Sequence, residues 1–289
     1  MNDYGEYDPK ELKKLQGVLL DMLDDFNKLC KKHKIDYFVL DGTGIGAVRH
    51  DGFIPWDDDI DVRMLRKDYE EFIKYAEKEY GDKYYLKDYS NDKKYPYNFA
   101  KWCKKNTRFI DDNSDILKLD IGLFIDIYVI DYVPDDSKKR NKLLKRAWIM
   151  QKIGLLSVIK NPVIQGRGIK QSIIRFCCKM AYYFLKLFKV SPSKMYKKAE
   201  DLFVPYNNKT KTLAYAFETT PYLSIYDIDD IYPLKKHKFN DTYVYLPNNY
   251  DKLLRDYFGD YMQLPPEDKR HNHYPKELCF DTRKKWKLQ

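Results

Sequence analysis

Residues 56–62 read Trp-Asp-Asp-Asp-Ile-Asp-Val, and this short acidic stretch carries most of the information about the fold. On a β-strand, successive side chains point to opposite faces of the sheet. Asp59 and Asp61 would therefore share one face, while Ile60 and Val62 share the other and anchor the strand in a core. Two carboxylates this close repel each other unless a cation lies between them, and oxygen ligands suit Mg²⁺ or Mn²⁺. The pattern predicts a metal site on a buried strand.

A solvated acidic loop is the alternative interpretation of the same stretch. It accounts for Asp57 and Asp58, but it does not account for the alternation of carboxylates with apolar residues that follows. Asp126 favours the metal site, because it interrupts the apolar run of residues 123–130 and a lone buried carboxylate is costly without a partner. Exposure at the edge of a sheet is the alternative for Asp126.

A glycine-threonine pair precedes the acidic stretch. Gly42 and Thr43 fall between a predicted strand, residues 35–40, and a predicted short helix that ends near His50. Glycine lets backbone N–H groups approach a phosphate, and a helix N-terminus favours negative charge. The order of strand, Gly-Thr, helix, acidic strand and a further strand with an aspartate is typical of nucleotidyltransferase-fold enzymes.

Helices and short strands alternate along the rest of the chain. Asp8 and Pro9 mark the start of a first helix that ends near His33. Further helices are predicted at residues 66–80 and 249–258, and strands at residues 60–64, 84–87, 99–103, 123–130 and 244–246. This pattern predicts an α/β (α+β) fold, with a mixed sheet core flanked by helices.

The expected domain organisation is one domain over residues 1–289. Its core is predicted at about residues 9–134 and 211–275, with a helical insertion at about residues 135–210. Within the insertion, residues 168–190 place apolar side chains among Lys and Arg at helical spacing. One interpretation is a helix packed on the domain, and the other is a helix that rests on an anionic membrane.

Composition limits the partners and the compartment. The chain holds 53 Lys and Arg against 44 Asp and Glu, a net charge of +9, which favours nucleotides, phosphorylated polymers or anionic membranes. No nucleic-acid-binding signature accompanies the charge, so no specific nucleic acid is expected. Five cysteines without C-x-x-C spacing indicate reduced thiols. Without a signal peptide or a spanning apolar stretch, we expect a cytoplasmic protein, with the inner face of the plasma membrane as one location.

Several motifs together resemble one protein family. Residues 42–61 read Gly-Thr-Gly-Ile-Gly-Ala-Val-Arg-His-Asp-Gly-Phe-Ile-Pro-Trp-Asp-Asp-Asp-Ile-Asp, which is similar to the signature of the LicD family. Residues 122–127, Gly-Leu-Phe-Ile-Asp-Ile, resemble the family's third-carboxylate strand. Shorter matches follow at residues 246–250, at residues 257–262 and at the prolines of 265–266. These motifs frame nearly the whole chain and leave roughly residues 135–210 unmatched.

The resemblance implies both a fold and a reaction. The LicD family includes bacterial phosphocholine transferases and shares its core with fukutin-related proteins. It implies a nucleotidyltransferase-like fold and the transfer of a phospho-alcohol, most often phosphocholine, from a CDP-alcohol donor with release of CMP. The implied acceptor is a hydroxyl of a glycan or lipid-linked glycan, such as teichoic acid, lipopolysaccharide or a capsule precursor.

The hypothesis assigns roles to eight residues. Asp59, Asp61 and Asp126 are expected to bind Mg²⁺ or Mn²⁺ and to be the catalytic residues. The expected substrate-binding residues are Gly42, Thr43, Arg49, His50 and Trp56. Arg49 can hold a phosphate in a bidentate manner, and Trp56 can stack on a base or on choline, although core packing accounts for Trp56 equally well.

Three polar residues near the C-terminus, Arg270, His271 and His273, have two interpretations. They belong either to a solvated tail or to a substrate contact, and their H-x-H spacing indicates zinc only weakly.

Two rival functions stay open at this stage. A nucleotidyltransferase would use the same metal site but release pyrophosphate instead of CMP. A non-catalytic protein would use its basic surface to bind nucleic acid or membrane, but it would have no need for three carboxylates.

Overall fold

The computed structural model describes residues 6–162, 168–218, 220 and 222–283, with only the backbone at Asn113. The described residues form two compact units. The first holds residues 6–86, 101–130 and 226–283, and the second holds residues 87–100 and the described part of 131–225. The expectation of one domain over residues 1–289 stays a prediction.

Helices and strands alternate along the described chain. The helices are α1 (Pro9–His33), α2 (Asp41–His50), α3 (Arg66–Tyr80), α4 (Asp112–Leu117), α5 (Ser137–Val158), α6 (Ile169–Leu187), α7 (Pro192–Glu200), α8 (Ile228–Ile231) and α9 (Tyr250–Phe258). The strands are β1 (Asp61–Leu65), β2 (Tyr84–Lys87), β3 (Ala100–Lys104), β4 (Arg108–Ile110), β5 (Phe124–Val133), β6 (Thr212–Tyr215), β7 (Ser224–Asp227), β8 (Lys235–Phe239), β9 (Thr242–Leu246) and β10 (Glu277–Cys279).

The first unit is built around two neighbouring parallel strands. Strand β1 pairs with β5 in parallel, so that Asp61 lies opposite Asp126 and Leu65 opposite Ile130. Strands β2, β3 and β5 follow one another side by side. Helix α3 contacts β1, and α1 contacts both α3 and β9. The arrangement buries Asp58, Ile60 and Val62 of the acidic stretch and leaves its other residues half-buried.

An aromatic cluster fills that core. Trp102 is 1% exposed, and its ring centre lies 4.1 Å from that of Tyr84. The rings of Phe26 and Phe72 also pack on Trp102, each with its centre 5.7 Å from that of Trp102. Rings packed edge to face at such distances stabilise a core beyond the effect of burial alone.

The second unit contains the segment that was predicted to be a helical insertion. Helices α5, α6 and α7 all lie within residues 135–210. Gly154 of α5 allows close packing on α7, because a Cβ there would lie 2.6 Å from the ring of Tyr196. In the same unit, Asp131 of β5 lies opposite Ala214 of the antiparallel strand β6.

The predicted α/β fold is confirmed, and its sheet is mixed, because β5 pairs in parallel with β1 and antiparallel with β6. The first helix begins as predicted, since the side chain of Asp8 accepts a hydrogen bond from the backbone of Lys10 and Pro9 follows the cap. Helix α3 has the predicted bounds, and the strand predicted at residues 60–64 begins and ends one residue later.

The strand predicted at residues 35–40 is wrong. The only pairing in this segment is an isolated bridge between Phe38 and Arg63, in which each backbone N–H donates to the other residue's carbonyl. The next residue, Val39, donates instead to the carbonyl of Tyr245. Apart from the exposed Asp36, the segment is apolar and buried, but it divides its backbone hydrogen bonds between two neighbours and so forms no continuous ladder.

Within the described part of the chain, no helix has the length and hydropathy that crossing a bilayer requires.

The aromatic cluster gives a test of the first unit. Trp102→Ala should lower the free energy of unfolding by about 3–5 kcal/mol, because the removed ring leaves a cavity among fixed neighbours. Ile116→Ala on α4 is the matched control: its side chain is 64% exposed, and the change should stay within about 0.5 kcal/mol. Denaturant unfolding of both variants measures the difference. Equal stabilities would contradict the described core.

Candidate functional site

Two of the predicted site residues lie side by side on neighbouring strands. Asp61 of β1 and Asp126 of β5 are register partners in the parallel pair. The backbone N–H of Asp126 donates to the carbonyl of Ile60 at 3.0 Å. The backbone N–H of Asp61 donates to Thr43 Oγ1 at 2.9 Å. Because side chains of register partners emerge on the same face, the two carboxylates share one side of the sheet.

Asp61 is held in an unfavourable electrostatic position. Its Oδ1 atom is buried and has no hydrogen-bond partner in the structure. Burial, followed by the negative charges of Asp59 and Asp126, holds the pKa of Asp61 well above its usual range. A buried carboxylate oxygen without a partner costs free energy, and a cation is the group that would relieve both the burial and the repulsion.

Asp126 has a partner that was not predicted from the sequence. It is 6% exposed, and its two carboxylate oxygens accept from Lys101 Nζ at 2.7 Å and 3.0 Å. Lys101 is itself 4% exposed and lies 3.3 Å from the centre of the Phe124 ring. Burial raises the pKa of Asp126 to about 6, and the Lys101 ammonium opposes the rise. The alternative of a solvent-exposed Asp126 is therefore wrong.

A second acidic group lies beside Asp59. The ligand atoms of Asp58, Asp59 and His273 all lie within 4.8 Å of one another. His273 Nδ1 is 3.3 Å from Asp58 Oδ1 and 3.3 Å from Asp59 Oδ2, and its backbone N–H donates to both Asp58 oxygens at 3.0 Å. The Tyr7 hydroxyl donates to Asp58 Oδ2 at 2.8 Å. Hydrogen bonds to Asp58 and Asp59 raise the pKa of His273 well above its usual value.

Asp59 is the third of the predicted metal ligands, and in the structure it belongs to the group with His273. Its carboxylate faces His273, and the oxygens of Asp59, Asp61 and Asp126 do not all approach within the 4.8 Å that the group with His273 satisfies. Asp59 is nevertheless near enough for its negative charge to raise the pKa of Asp61 and of Asp126. Asp59 also lies before β1 and not on it, so strand alternation describes Asp61 but not Asp59.

These residues fit a divalent cation. Asp61 and Asp126 offer carboxylate oxygens as ligands, which suits Mg²⁺ or Mn²⁺. Within the described part of the chain, the buried Oδ1 of Asp61 has no hydrogen-bond partner. The residues that could hold such an ion are Asp59, Asp61 and Asp126.

Gly42 and Thr43 lie in the first turn of α2, next to residues of the acidic stretch. A Cβ at Gly42 would lie 3.0 Å from Asp57 Oδ2, so the absence of a side chain there allows this carboxylate to approach the helix. Thr43 is 3% exposed, and its hydroxyl oxygen accepts the backbone N–H of Asp61. Thr43 therefore positions the acidic strand, while phosphate binding by these two residues stays a prediction.

Arg49 and Trp56 line a separate cleft of about 660 Å³, together with Tyr261, Gln263 and Arg270. Arg49 Nη1 donates to the carbonyl of Tyr261 at 2.6 Å and lies 3.4 Å from that of Gln263. Its Nη2 group makes no hydrogen bond within the described residues and is free to contact an anion. The cleft thus carries two guanidinium groups beside an aromatic ring.

The other predicted substrate residues have different surroundings. His50 accepts from Arg49 Nε at 2.9 Å and does not line the cleft. The guanidinium carbon of Arg270 lies 4.8 Å from the centre of the Trp56 ring, so one face of Trp56 is already covered by a cation. Choline would have to use the other face or displace Arg270. His271 is exposed.

The residues that sequence reasoning missed differ in how well they could have been found. Lys101 stands between Ala100 and Trp102 in an apolar strand, which is the same signal that singled out Asp126. Two opposite charges, each the only one in its predicted strand (residues 99–103 and 123–130), would have predicted the pair. Tyr7 and Asp58 carry no such local signal, because their contact joins parts of the chain 51 residues apart.

The buried ion pair can be tested without a substrate. With metal removed by EDTA, Lys101→Met should lower the free energy of unfolding by about 3–5 kcal/mol, because it leaves Asp126 buried without a counter-charge. Adding Asp126→Leu to this variant should restore most of the loss. Lys31→Met, at an exposed position of α1, should change stability by no more than about 0.5 kcal/mol. If Lys101→Met is as stable as this control, the ion pair is not formed.

Comparisons with known proteins lead to the same family that the sequence motifs resemble. Residues 34–146 match the family model described as LicD/FKTN/FKRP, nucleotidyltransferase domain. The lipopolysaccharide cholinephosphotransferase LicD of Haemophilus influenzae is 29% identical over 287 residues, which cover 92% of this chain and 97% of the relative.

Two uncharacterized proteins, from Rickettsia prowazekii and Rickettsia typhi, are each 42% identical over 50 residues, or 17% of this chain. The match covers 19% and 16% of their own lengths. The family match includes β1 and the part of β5 that carries Asp126, so it covers all three candidate metal ligands. Residues 34–146 of the chain are therefore similar to the nucleotidyltransferase domain of the LicD family.

Proposed function

We propose that this protein is a metal-dependent phosphotransferase that moves phosphocholine from CDP-choline to a hydroxyl of a cell-surface glycan precursor and releases CMP. The observation that carries the proposal is the meeting of Asp61 and Asp126 on adjacent parallel strands, with Asp59 close by and Asp61 Oδ1 unpaired. Full-length similarity to a protein named as a lipopolysaccharide cholinephosphotransferase supports the choice of phosphocholine and of lipopolysaccharide as the acceptor. Teichoic acid and capsule precursors are related acceptors.

The carboxylates provide the binding site for the donor's charge. Mg²⁺ or Mn²⁺ bound by Asp59, Asp61 and Asp126 would neutralise the pyrophosphate and the charge that develops on the departing CMP. Without a cation, three carboxylates would repel a diphosphate. The β1–β5 register holds Asp61 and Asp126 in place, so these two residues would lose little conformational freedom when an ion binds.

Asp126 is proposed to accept the proton of the acceptor hydroxyl. A pKa of about 6 places this carboxylate near the range in which a base works well at neutral pH. Lys101 keeps both Asp126 oxygens in place and opposes protonation of the carboxylate. Lys101 is thus a positioning residue for Asp126 in this scheme.

Basic and polar groups outside the carboxylates complete the proposed donor site. Gly42 and Thr43 would offer the first turn of α2 to a phosphate, where the helix dipole favours negative charge. Arg49 would use its free Nη2 group, which fits phosphate geometry. His50 would act through its hydrogen bond to Arg49 and not through direct contact.

Replacement of single carboxylates tests the proposal directly. Asp59→Asn, Asp61→Asn and Asp126→Asn should each lower Mg²⁺-dependent release of CMP from CDP-choline by at least about 100-fold, as loss of a group that stabilises transition-state charge does. Asp241→Asn is the control, because Asp241 is exposed in the turn between β8 and β9. EDTA should abolish the activity of the wild type.

The same variants separate loss of chemistry from loss of fold. In EDTA, Asp61→Asn should be at least as stable as the wild type, because it removes a buried charge that two neighbours repel. If all three variants remain folded and keep wild-type turnover, the proposed metal site takes no part in the reaction.

A donor screen tests the alcohol. With Mg²⁺ present, CDP-choline should raise the melting temperature more than CDP-ribitol, CDP-glycerol or CDP-ethanolamine, because a ligand that binds only the folded state stabilises it. At a ligand concentration about 100 times Kd the gain is about 2.7 kcal/mol. Arg49→Met should reduce the shift, and Arg146→Met at an exposed position of α5 serves as its control. A larger shift with a nucleoside triphosphate, and pyrophosphate as product, would instead indicate nucleotidyl transfer.

A further inference from the structure

Helix α6 in the second unit exposes an apolar face. Seven of its large apolar side chains recur at intervals of three and four residues, so these seven share one side of the helix. They are Ile169, Ile173, Phe176, Met180, Tyr183, Phe184 and Leu187, and each is between 48% and 83% exposed. No side chain of α6 is buried. A continuous apolar stripe of this length on a free surface marks an interaction site.

The opposite side of α6 is the one that packs on its own unit. Helix α6 contacts α5, and the half-buried side chains of α6 include Cys178, Ala181 and Leu185. At 100° per residue these three lie away from the apolar stripe. The stripe is therefore not a core surface that α5 covers, and the interpretation of α6 as a helix with its apolar residues packed on the domain is wrong for this face.

The charges around α6 indicate what the stripe contacts. Between Asp136 and Glu200 the sequence holds 17 of the chain's 53 Lys and Arg and none of its 44 Asp and Glu. The rest of the chain consequently has eight more acidic than basic residues, and the whole positive excess lies in this segment. On α6 itself, Lys170 lies on one flank of the stripe, and Lys179 and Lys186 lie on the other.

We propose that α6 docks on the surface of an anionic lipid bilayer, with its apolar stripe inserted among the acyl chains and its lysines at the headgroups. An apolar face bordered by Lys and Arg, with no acidic residue, is the pattern of a helix that lies in the membrane plane. The helix is about 28 Å long, and it lies along the surface because it is not apolar enough to cross. None of its residues belongs to the proposed active site, so the inference is independent of the proposed reaction.

The charge argues against a second copy of the chain as the occupant. Two α6 faces brought together would place Lys170, Lys179 and Lys186 of each copy near those of the other, and like charges repel. An anionic surface offers the complementary charge, and each lysine near it strengthens binding about fivefold. The membrane therefore accounts for both the stripe and its borders.

Sedimentation with vesicles tests the proposal. The full chain should bind vesicles of equal parts phosphatidylglycerol and phosphatidylcholine at least about tenfold more tightly than pure phosphatidylcholine vesicles, and added salt should weaken the binding. Phe176→Ser with Phe184→Ser should weaken it at least about tenfold, since two inserted rings are lost. Ile116→Ser, at a side chain of the first unit that is 64% exposed, is the control and should bind like the wild type.

Replacement of the lysines of α6 tests their contribution to vesicle binding separately. Lys170→Gln, Lys179→Gln and Lys186→Gln combined should weaken binding to anionic vesicles by about 100-fold. The same charge change at three exposed lysines of the first unit, Lys13→Gln, Lys31→Gln and Lys78→Gln, should have a much smaller effect. Melting temperatures and circular dichroism establish that all variants are folded.

A fluorescent probe locates the contact. Cys177 is exposed beside the stripe, whereas Cys178 and Cys279 are half-buried and can be replaced by serine to leave one reactive site. A polarity-sensitive dye on Cys177 should shift to the blue when anionic vesicles are added, and a dye on Ile116→Cys should not.

Three outcomes would overturn the proposal. They are no binding of the wild type to anionic vesicles, equal binding by the α6 and control variants, and a dimer in solution that Phe176→Ser with Phe184→Ser dissociates. The assays contain neither donor nor acceptor, so their failure leaves the proposed reaction untouched.

Discussion

The structure depends on the burial of negative charge where β1 and β5 run side by side. Their parallel register fixes Asp61 beside Asp126, and Thr43 holds the backbone of Asp61 from the other side. Lys101 compensates Asp126, but the buried Oδ1 of Asp61 has no hydrogen-bond partner among the described residues. Burying such a group costs free energy of folding. A metal ion bound for the reaction that we propose would offset this cost in free energy.

Much of the fold follows from local chemistry and was predictable for that reason. Asp8 and Pro9 set the start of α1, and a regular apolar period sets α3. Asp126 could be recognised because a carboxylate in an apolar strand needs a compensating group. The strand predicted at residues 35–40 is wrong because the prediction rested on apolar composition. Strand formation also requires a neighbouring strand that pairs along its length. No local pattern reports such a neighbour.

The same distinction applies to the site. The alternation around Asp61 predicted a buried, functional carboxylate, but it did not show that Asp59 would face His273 or that Tyr7 would hold Asp58. These contacts join the two ends of the chain to its acidic stretch, and only the three-dimensional fold brings them together. The sequence also gave no reason to expect Arg270 on the face of Trp56, which limits how that ring can receive a ligand.

The candidate site and the segment that contains α6 carry opposite charge. In the first unit, several carboxylates meet at the candidate site, while the chain's positive excess lies between Asp136 and Glu200, in a segment of the second unit. A transferase that takes a nucleotide-linked donor and a glycan precursor needs both a site for diphosphate and access to an acceptor. The similarity to the Haemophilus influenzae cholinephosphotransferase extends over both units.

Anomalous scattering from crystals soaked in Mn²⁺ and CDP-choline measures the central claim most directly. The account predicts a peak within coordination distance of Asp59 and Asp61 oxygens, with Asp126 as a further ligand. It also predicts that Asp59 turns away from His273 when the ion binds. A peak held by Asp58 and His273 without Asp61, or no peak at saturating Mn²⁺, would contradict it.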